Sequence, residues 1–321
     1  MPKVSVVIPV YKAEEYIERC ARTLLQQTLD DIEYIFVNDC TPDCSMQVLE
    51  SVLRDYPDRV NQVKVINHLV NTGQSGARRD GMSVATGDYI IHCDADDWVD
   101  LDMYETMYRK ALETNADSVS CDIVLEYDKY KKVLCYNNLC DDHRLMYDCI
   151  APISVEYCSM CNRLVSSKVL KKHTILPYDG VNMWDDVGIS IRVRYYCHNN
   201  IVINRAFYHY NMQNETSTTR RSVCDRIEEQ VRCANHLENF FRIEGEYKKY
   251  HRFINLIKLV SKHDLFFVDI SRWRKIFPES QKYIYLLKPQ WGFKGILKFY
   301  MYAYCHRVTN AVVAVRNRNR R

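Results

Sequence analysis

The sequence predicts an α/β fold: a doubly wound, mostly parallel sheet followed by a helical, basic C-terminal extension. Three observations carry this. Through residue 125, apolar runs alternate with segments of helical period, as repeated βαβ units require. Apolar residues make up 47% of the 321, enough for a sizeable core. Four of the nine glycines (Gly73, Gly76, Gly81, Gly87) fall within fifteen residues, just after the third apolar run, and ligands of such sheets lie at the carboxyl ends of the strands.

In order, Val4–Val10 reads as a buried strand and 14–27 as a helix through Tyr16, Ile17, Cys20, Leu24 and Leu25. A second strand spans 34–37 and ends at Asn38-Asp39. A helix follows over 45–55, then a strand over 63–66, a helix over 76–85, a strand over 89–93, a helix over 101–114 and a strand over 118–125. Between Tyr127 and Ile175 the pattern loosens into hairpin-like pieces. Trp184-Asp185-Asp186 opens a helical run to about Tyr196. A strand over 201–204 leads to the aromatic segment Phe207–Tyr210, and Ser222 caps a helix to Phe241.

Net charge is +3, but unevenly spread. From Gly245 to Arg321 there are 17 Lys+Arg against 4 Asp+Glu, leaving −10 on the preceding 244 residues. An acidic body with a basic tail suggests an anionic partner surface. Fourteen cysteines without zinc-finger spacing or a secretory leader suggest reduced thiols in a cytoplasmic protein. No stretch reaches 18 uncharged apolar residues, so a spanning helix is not expected.

The richest segment, Asn71–Asp97, reads NTGQSGARRDGMSVATGDYIIHCDADD. Its strand delivers Asp94 and Asp96 two residues apart, so both carboxylates face one way. Hard oxygen ligands of this kind suit Mg²⁺ or Mn²⁺ shared with substrate phosphates. A dinucleotide fingerprint is missing, because Pro9-Val10-Tyr11-Lys12-Ala13 follows the first strand with no glycine, and no GxxxxGK[ST] occurs. A diphosphate leaving group held by metal, with Arg78 or Arg79 nearby, fits what remains.

These pieces, VSVVIPVYKAEEYIERCARTLLQQT, FVNDCTPD, the glycine-to-aspartate segment, WDD and YHYNMQNETS, resemble the family-2 inverting glycosyltransferases of the GT-A fold, of bacterial surface-polysaccharide type. The resemblance covers about residues 1–220. It implies a GT-A domain over 1–220, with a nucleotide-binding half (1–125) and an acceptor half (126–220), and leaves 221–321 as a helical basic region. By resemblance, Pro9, Tyr11 and Glu14 line the nucleotide pocket and Asp39 accepts from the base, uracil in the commonest case. Gly76 and Arg79 lie against ribose and diphosphate, with Arg78 an equal choice. Asp94-Ala95-Asp96 carries the donor. Asp96 binds the metal, with Asp94 and His209 as further ligand choices. The family's acceptor-side acid pair is usually Glu-Asp. Here it is Asp185-Asp186, which makes Asp186 the base and Asp185 its helper, while Trp184 is a candidate acceptor platform. Where relatives carry arginines in the YxYRxRxxS segment, this chain has Asn211 and Gln213, leaving His209 or Tyr210 to substitute.

The implied activity is transfer of a sugar from a nucleoside-diphosphate sugar, typically UDP-linked, to a hydroxyl of a glycan or lipid-linked glycan. It would require Mn²⁺ or Mg²⁺. A nucleotidyltransferase is the alternative, but lacks its glycine loop after the first strand. A non-catalytic nucleotide- or nucleic-acid-binding module would not need an acceptor-side base. In the tail, Trp273-Arg274-Lys275, Trp291-Gly292-Phe293-Lys294 and Lys298-Phe299-Tyr300 mix aromatics with cations, as interfacial helices on anionic lipid do. The expectation is peripheral attachment to the inner face of the cell membrane, with nucleic acid the lesser choice.

Overall fold

The computed structural model describes residues 2–135, 146, 155–214 and 222–287. Among these the chain divides into two compact units, the second holding Met146 and the residues from Ser222 onward.

The first unit is built on one mixed sheet. Strands β1 (Val4–Val10), β2 (Ile32–Asn38), β3 (Val63–Asn67) and β4 (Tyr89–His92) are followed by β5 (Trp98–Val99), β6 (Ser118–Glu126), β7 (Lys131–Leu134), β8 (Arg163–Ser166) and β9 (Asn200–Asn211). Their order is β3-β2-β1-β4-β8-β6-β9-β5, with β7 paired to β6. The four leading strands pair in parallel. Both faces of β1 are covered, which is why it reads as an unbroken apolar run. Val4, Val6, Ile8 and Val10 face a core shared with helix α1 (Ile17–Leu25). Val7 faces the opposite core with Ala77 and Met82 of helix α3 (Gly73–Val84). Gly81 is required there, since a Cβ on it would lie 2.4 Å from Val7 Cγ1. Helices α2 (Ser45–Arg54) and α4 (Met103–Thr114) complete the repeats.

Several elements differ in extent from the sequence reading, α1 and β9 instructively. Residues 14–16 precede α1 because Ala13 and Glu14 donate their amides to Ser45 Oγ (3.0 Å) and Asp43 Oδ2 (3.1 Å), fixing a loop where periodicity suggests helix. Strand β9 is continuous from Asn200 to Asn211, where a shorter strand was expected. Its pairing with β6 shifts register around Asp122, and the exposed Asn204-Arg205 at that bulge hide the alternation. The loosened middle contains β7 and β8 with two short helices, α5 (Val155–Cys158) and α6 (Ser167–Lys172). Helix α7 (Asp185–Tyr196) begins at the acid pair.

The second unit is helical: α8 (Val223–Ile243), α9 (Tyr247–Ser261), α10 (Leu265–Val268), α11 (Ile270–Lys275) and a 3₁₀ segment, Pro278–Leu287. Ser222 caps α8, its hydroxyl accepting from the Asp225 amide. Lys258 bridges Glu238 and Glu279, each at 2.6 Å. Trp273 is fully buried, with Lys262 Nζ 4.4 Å from its ring centroid. The first aromatic-basic triple therefore turns its tryptophan inward and does not offer it to a membrane. The other two triples lie outside the described residues. No described helix is long and apolar enough to cross a membrane.

Candidate active site

The site collects at the carboxyl ends of β1, β2 and β4, where parallel strands leave backbone and side chains free for ligand work. Three left-handed non-glycine residues, Lys12 (φ 52), Cys40 (φ 55) and Trp184 (φ 76), lie at this end. Such strain persists where surrounding contacts over-determine it, often at functional sites.

The loop after β1 is tied to the loop after β2. Lys12 donates its amide to Thr41 Oγ1 at 2.8 Å, and Cys44 donates to Glu14 Oε2 at 3.0 Å. Asp43 receives Thr41 Oγ1 (2.7 Å) and Ser45 Oγ (2.6 Å). Burial pushes its carboxyl up, but hydrogen bonds led by Ser45 and Thr41 outweigh this and hold it below the usual range. Pro9 is half-buried and Tyr11 exposed on this frame, with Lys12 Nζ 5.4 Å from the Tyr11 ring centroid.

Asp39 is buried beyond β2 and organises the glycine loop. Its Oδ1 accepts from the Thr72 amide (2.7 Å) and hydroxyl (2.9 Å) and lies 2.9 Å from His68 Nδ1. Its Oδ2 accepts from the Gly73 amide at 2.8 Å. Asn182 completes this cap from the loop before α7: its Oδ1 accepts from the amide (3.0 Å) and hydroxyl (2.9 Å) of Ser75. A Cβ on Gly73, whose φ is +79°, would lie 2.3 Å from that same oxygen, so this position requires glycine. Gly76 packs against Thr72.

Arg78 defines the centre. It is 1% exposed, and one terminal nitrogen donates to Asp185 Oδ2 at 2.6 Å and to Asp186 Oδ1, while the other donates to Asp94 Oδ1 at 2.6 Å. Gln74 adds a 3.1 Å bond to that Asp94 oxygen. The acid pair at the start of α7 and the acidic turn after β4 thus meet on one guanidinium. The phosphate contact expected of Arg78 does not fit this enclosed position. Arg79 is likewise engaged, donating to the Pro177 carbonyl at 2.7 Å, which ties it to the loop before α7. Of the pair, the Asp185 side chain is 6% exposed and that of Asp186 29%. Burial, more than the neighbouring carboxylates, pushes both carboxyls above the ordinary range against the opposing pull of Arg78. No described residue donates to Asp186 Oδ2. Trp184, half-buried, stands at the helix start.

After β4, Asp94, Ala95 and Asp96 form a turn closed by the Asp97 amide donating to the Asp94 carbonyl at 3.0 Å. Buried Asp97 accepts from Tyr208 Oη (2.5 Å) and the Asn211 amide (2.7 Å). Asp96 accepts from Asn214 Nδ2 at 2.7 Å. Its carboxyl is pushed up to about 6, first by burial and then by the charge of Asp94. That surplus of negative charge fits a hard divalent cation on Asp94 and Asp96. Asp94, Asp97 and Cys161 also bring ligand atoms within 4.8 Å of one another. Burial, however, holds the Cys161 thiol well above its ordinary value, and Asp97 is committed to β9. His209, an expected alternative ligand, has Nδ1 at 2.7 Å from Glu126 and Nε2 at 3.0 Å from Asp100. With both ring nitrogens engaged, it is an anchor of the strand and not a metal ligand in this arrangement.

Residues that sequence reasoning missed are Gln74, Tyr208 and Asn214, which donate into the acids, and Asn182, which accepts from Ser75. Asn214 lies in the segment flagged for lacking arginine, and that replacement by amides was the available signal.

An open α/β sheet with paired acidic elements at its carboxyl edge is the architecture of a nucleotide-handling α/β protein. The chain belongs to glycosyl transferase family 2, whose family model matches residues 5–174. The uncharacterized glycosyltransferase EpsJ of Bacillus subtilis (strain 168) is 42% identical over 121 residues, 38% of this chain and 34% of EpsJ. The match thus spans about a third of that relative. Among solved structures, the S. aureus TarS 1-349 complex with UDP-GlcNAc aligns with a TM-score of 0.64 at 17% identity, covering 89% of this chain and 80% of TarS. Mannosyltransferase PcManGT from Pyrobaculum calidifontis, in complex with GDP-Man and Mn2+, aligns at 0.51 and 14% identity, covering 98% of this chain and 81% of that one. At these identities the likeness is one of fold, and that fold is GT-A.

Proposed function

We propose that the chain is an inverting glycosyltransferase that moves a sugar from a nucleoside-diphosphate sugar, UDP-linked, to a hydroxyl of a glycan or lipid-linked glycan. The observation that carries this reading is the meeting of Asp94 with Asp185 and Asp186 on Arg78, which brings a donor motif and an acceptor-side acid pair into one site. Pro9, Tyr11 and Asp39 line the nucleotide side, with Glu14 bracing its loop and Gly76 against the ribose. Asp94, Ala95 and Asp96 carry the diphosphate side, where Asp94 and Asp96 would hold Mn²⁺ or Mg²⁺. Such a cation supplies charge neutralisation of the leaving diphosphate.

Asp186 takes the proton of the attacking hydroxyl through Oδ2, and the enclosed Asp185 supports it. One-step displacement assisted by a single base inverts the anomeric centre, and a positioned base accounts for ~10²–10⁴ in rate. Residues 1–220 carry the transfer, and 221–321 form an appended helical region that docks on anionic lipid, placing the enzyme on the inner face of the membrane. The UDP-GlcNAc of TarS and the Mn2+ of PcManGT support donor class and cation. The test is a donor screen: purified protein with each nucleotide sugar and Mn²⁺, measuring diphosphate release. Release from none of them would overturn the reading.

A further inference from the structure

We infer that Arg78 is the positioning residue of the acid pair, aligning Asp186 with the donor-side Asp94. The inference rests on Asp186 being the base, as proposed above. Burying a guanidinium is costly unless acceptors compensate it, and Arg78 has three carboxylates. Its geometry is directional. One terminal nitrogen serves both acids of α7, while the other reaches Asp94 at 2.6 Å.

The two acids receive it differently. Enclosed Asp185 anchors the fork at 2.6 Å. The more open Asp186 accepts through Oδ1, and no described residue donates to its Oδ2, which is left to take the proton of an acceptor hydroxyl. A lysine would keep the charge but not the planar fork, since an ammonium is a point charge that cannot hold two directions in one plane. The path of the chain into α7 has a separate tie to α3, because Asn182 accepts from Ser75 at 2.9 and 3.0 Å. Loss of the guanidinium should therefore disturb the carboxylates before it disturbs the backbone that carries them.

The test is Arg78→Lys, alone and combined with Asp186→Asn, in the full chain. UDP binding with Mn²⁺ is measured by calorimetry, and turnover as diphosphate release from a panel of nucleotide sugars beginning with UDP-GlcNAc. Arg78→Lys should still bind UDP–Mn²⁺, more weakly because Asp94 also loses its partner, but lose ~10²–10⁴ in turnover at saturation. The double variant should be no slower than the slower single, because residues acting as one unit are not additive. Multiplying losses, or undiminished turnover in Arg78→Lys, would overturn the inference. So would lost UDP binding with normal turnover at saturation, which would make Arg78 a donor-binding group.

If melting shows that Arg78→Lys does not fold, the cycle of Asp185→Asn with Asp186→Asn carries the test. Two acids held by one guanidinium should again be non-additive, and independent losses would refute the shared anchor. A parent protein that releases diphosphate from no nucleotide sugar would instead overturn the transferase reading, and the inference with it.

Discussion

Asn214 donates its side-chain amide to Asp96 at 2.7 Å, joining residues 118 positions apart in the chain. The amide that stands near the missing family arginines thus holds the acidic turn. Its hydrogen bond favours the ionised carboxylate, opposing the burial and the Asp94 charge that push Asp96 up to about 6.

The first prediction follows from that balance. A cation binds only the ionised form, so Mn²⁺-dependent UDP affinity should hold at neutral pH and fall as pH drops through about 6. Asn214→Ala removes a group that lowers the value, so the fall should begin at higher pH. Asp96→Ala should abolish turnover and metal-enhanced binding while melting normally. Full activity in excess EDTA would remove Asp96 and its metal from the mechanism.

The acid pair gives the second. Asp186→Asn conserves shape and should cut turnover by ~10²–10⁴, with UDP–Mn²⁺ affinity little changed because the base faces the acceptor. A severe Asp185→Asn beside a mild Asp186→Asn would reverse the assignment. Two mild variants would reduce the pair to a favourable helix-start charge.

Stability supplies the third. Glu33 on β2 accepts from Ser5 Oγ (2.6 Å), the Thr86 amide (2.9 Å) and hydroxyl (3.0 Å), and pairs with Lys64. Burial pushes its carboxyl up, but these bonds, led by Lys64 and Ser5, prevail and hold it below its ordinary 4.5. With the folded value depressed, the stabilisation is present above the unfolded value and is lost as pH falls through the folded one. Glu33→Gln should cost about 1–3 kcal/mol at pH 7, and the gap to the parent should close in acid. A constant gap in urea melts from neutral to acid pH would show that ionisation of Glu33 is not what stabilises.

The tail gives the fourth. Residues 288–321 hold eight Lys+Arg and no Asp or Glu. Each cation near an anionic bilayer is worth on the order of 1 kcal/mol, and salt screens it. The full chain should co-sediment with anionic vesicles at low salt and release at high salt, and removal of 288–321 should weaken the binding while sparing donor hydrolysis. Equal binding to neutral vesicles would indicate apolar insertion. Absence of vesicle binding beside salt-sensitive RNA binding would move the tail to nucleic acid.

What was legible in the sequence was local. Strands β1, β2 and β4 read clearly because burial on both faces leaves apolar runs, and Val4–Val10 shows the same bounds in sequence and structure. Asp94, Asp96, Asp185 and Asp186 stood out as short acidic motifs. What could not be read was pairing at long range. Nothing near residue 78 says that its guanidinium ends on residues 185 and 186, or that Asn182 caps α3. Trp273 looked interfacial because basic neighbours flank it, yet packing against Lys262 and Phe266 takes it inside.

The opening turn of α3 has a consequence of its own. Asp39 takes the Gly73 amide and Asn182 takes that of Ser75, so the helix start has spent donors that phosphate-binding helices keep free. On the transferase reading, the grip on a nucleotide is then lent by the cation and not by the helix. Occupancy of the pocket would track the cell's free manganese or magnesium, and metal starvation would empty it before it slowed any bond-making step.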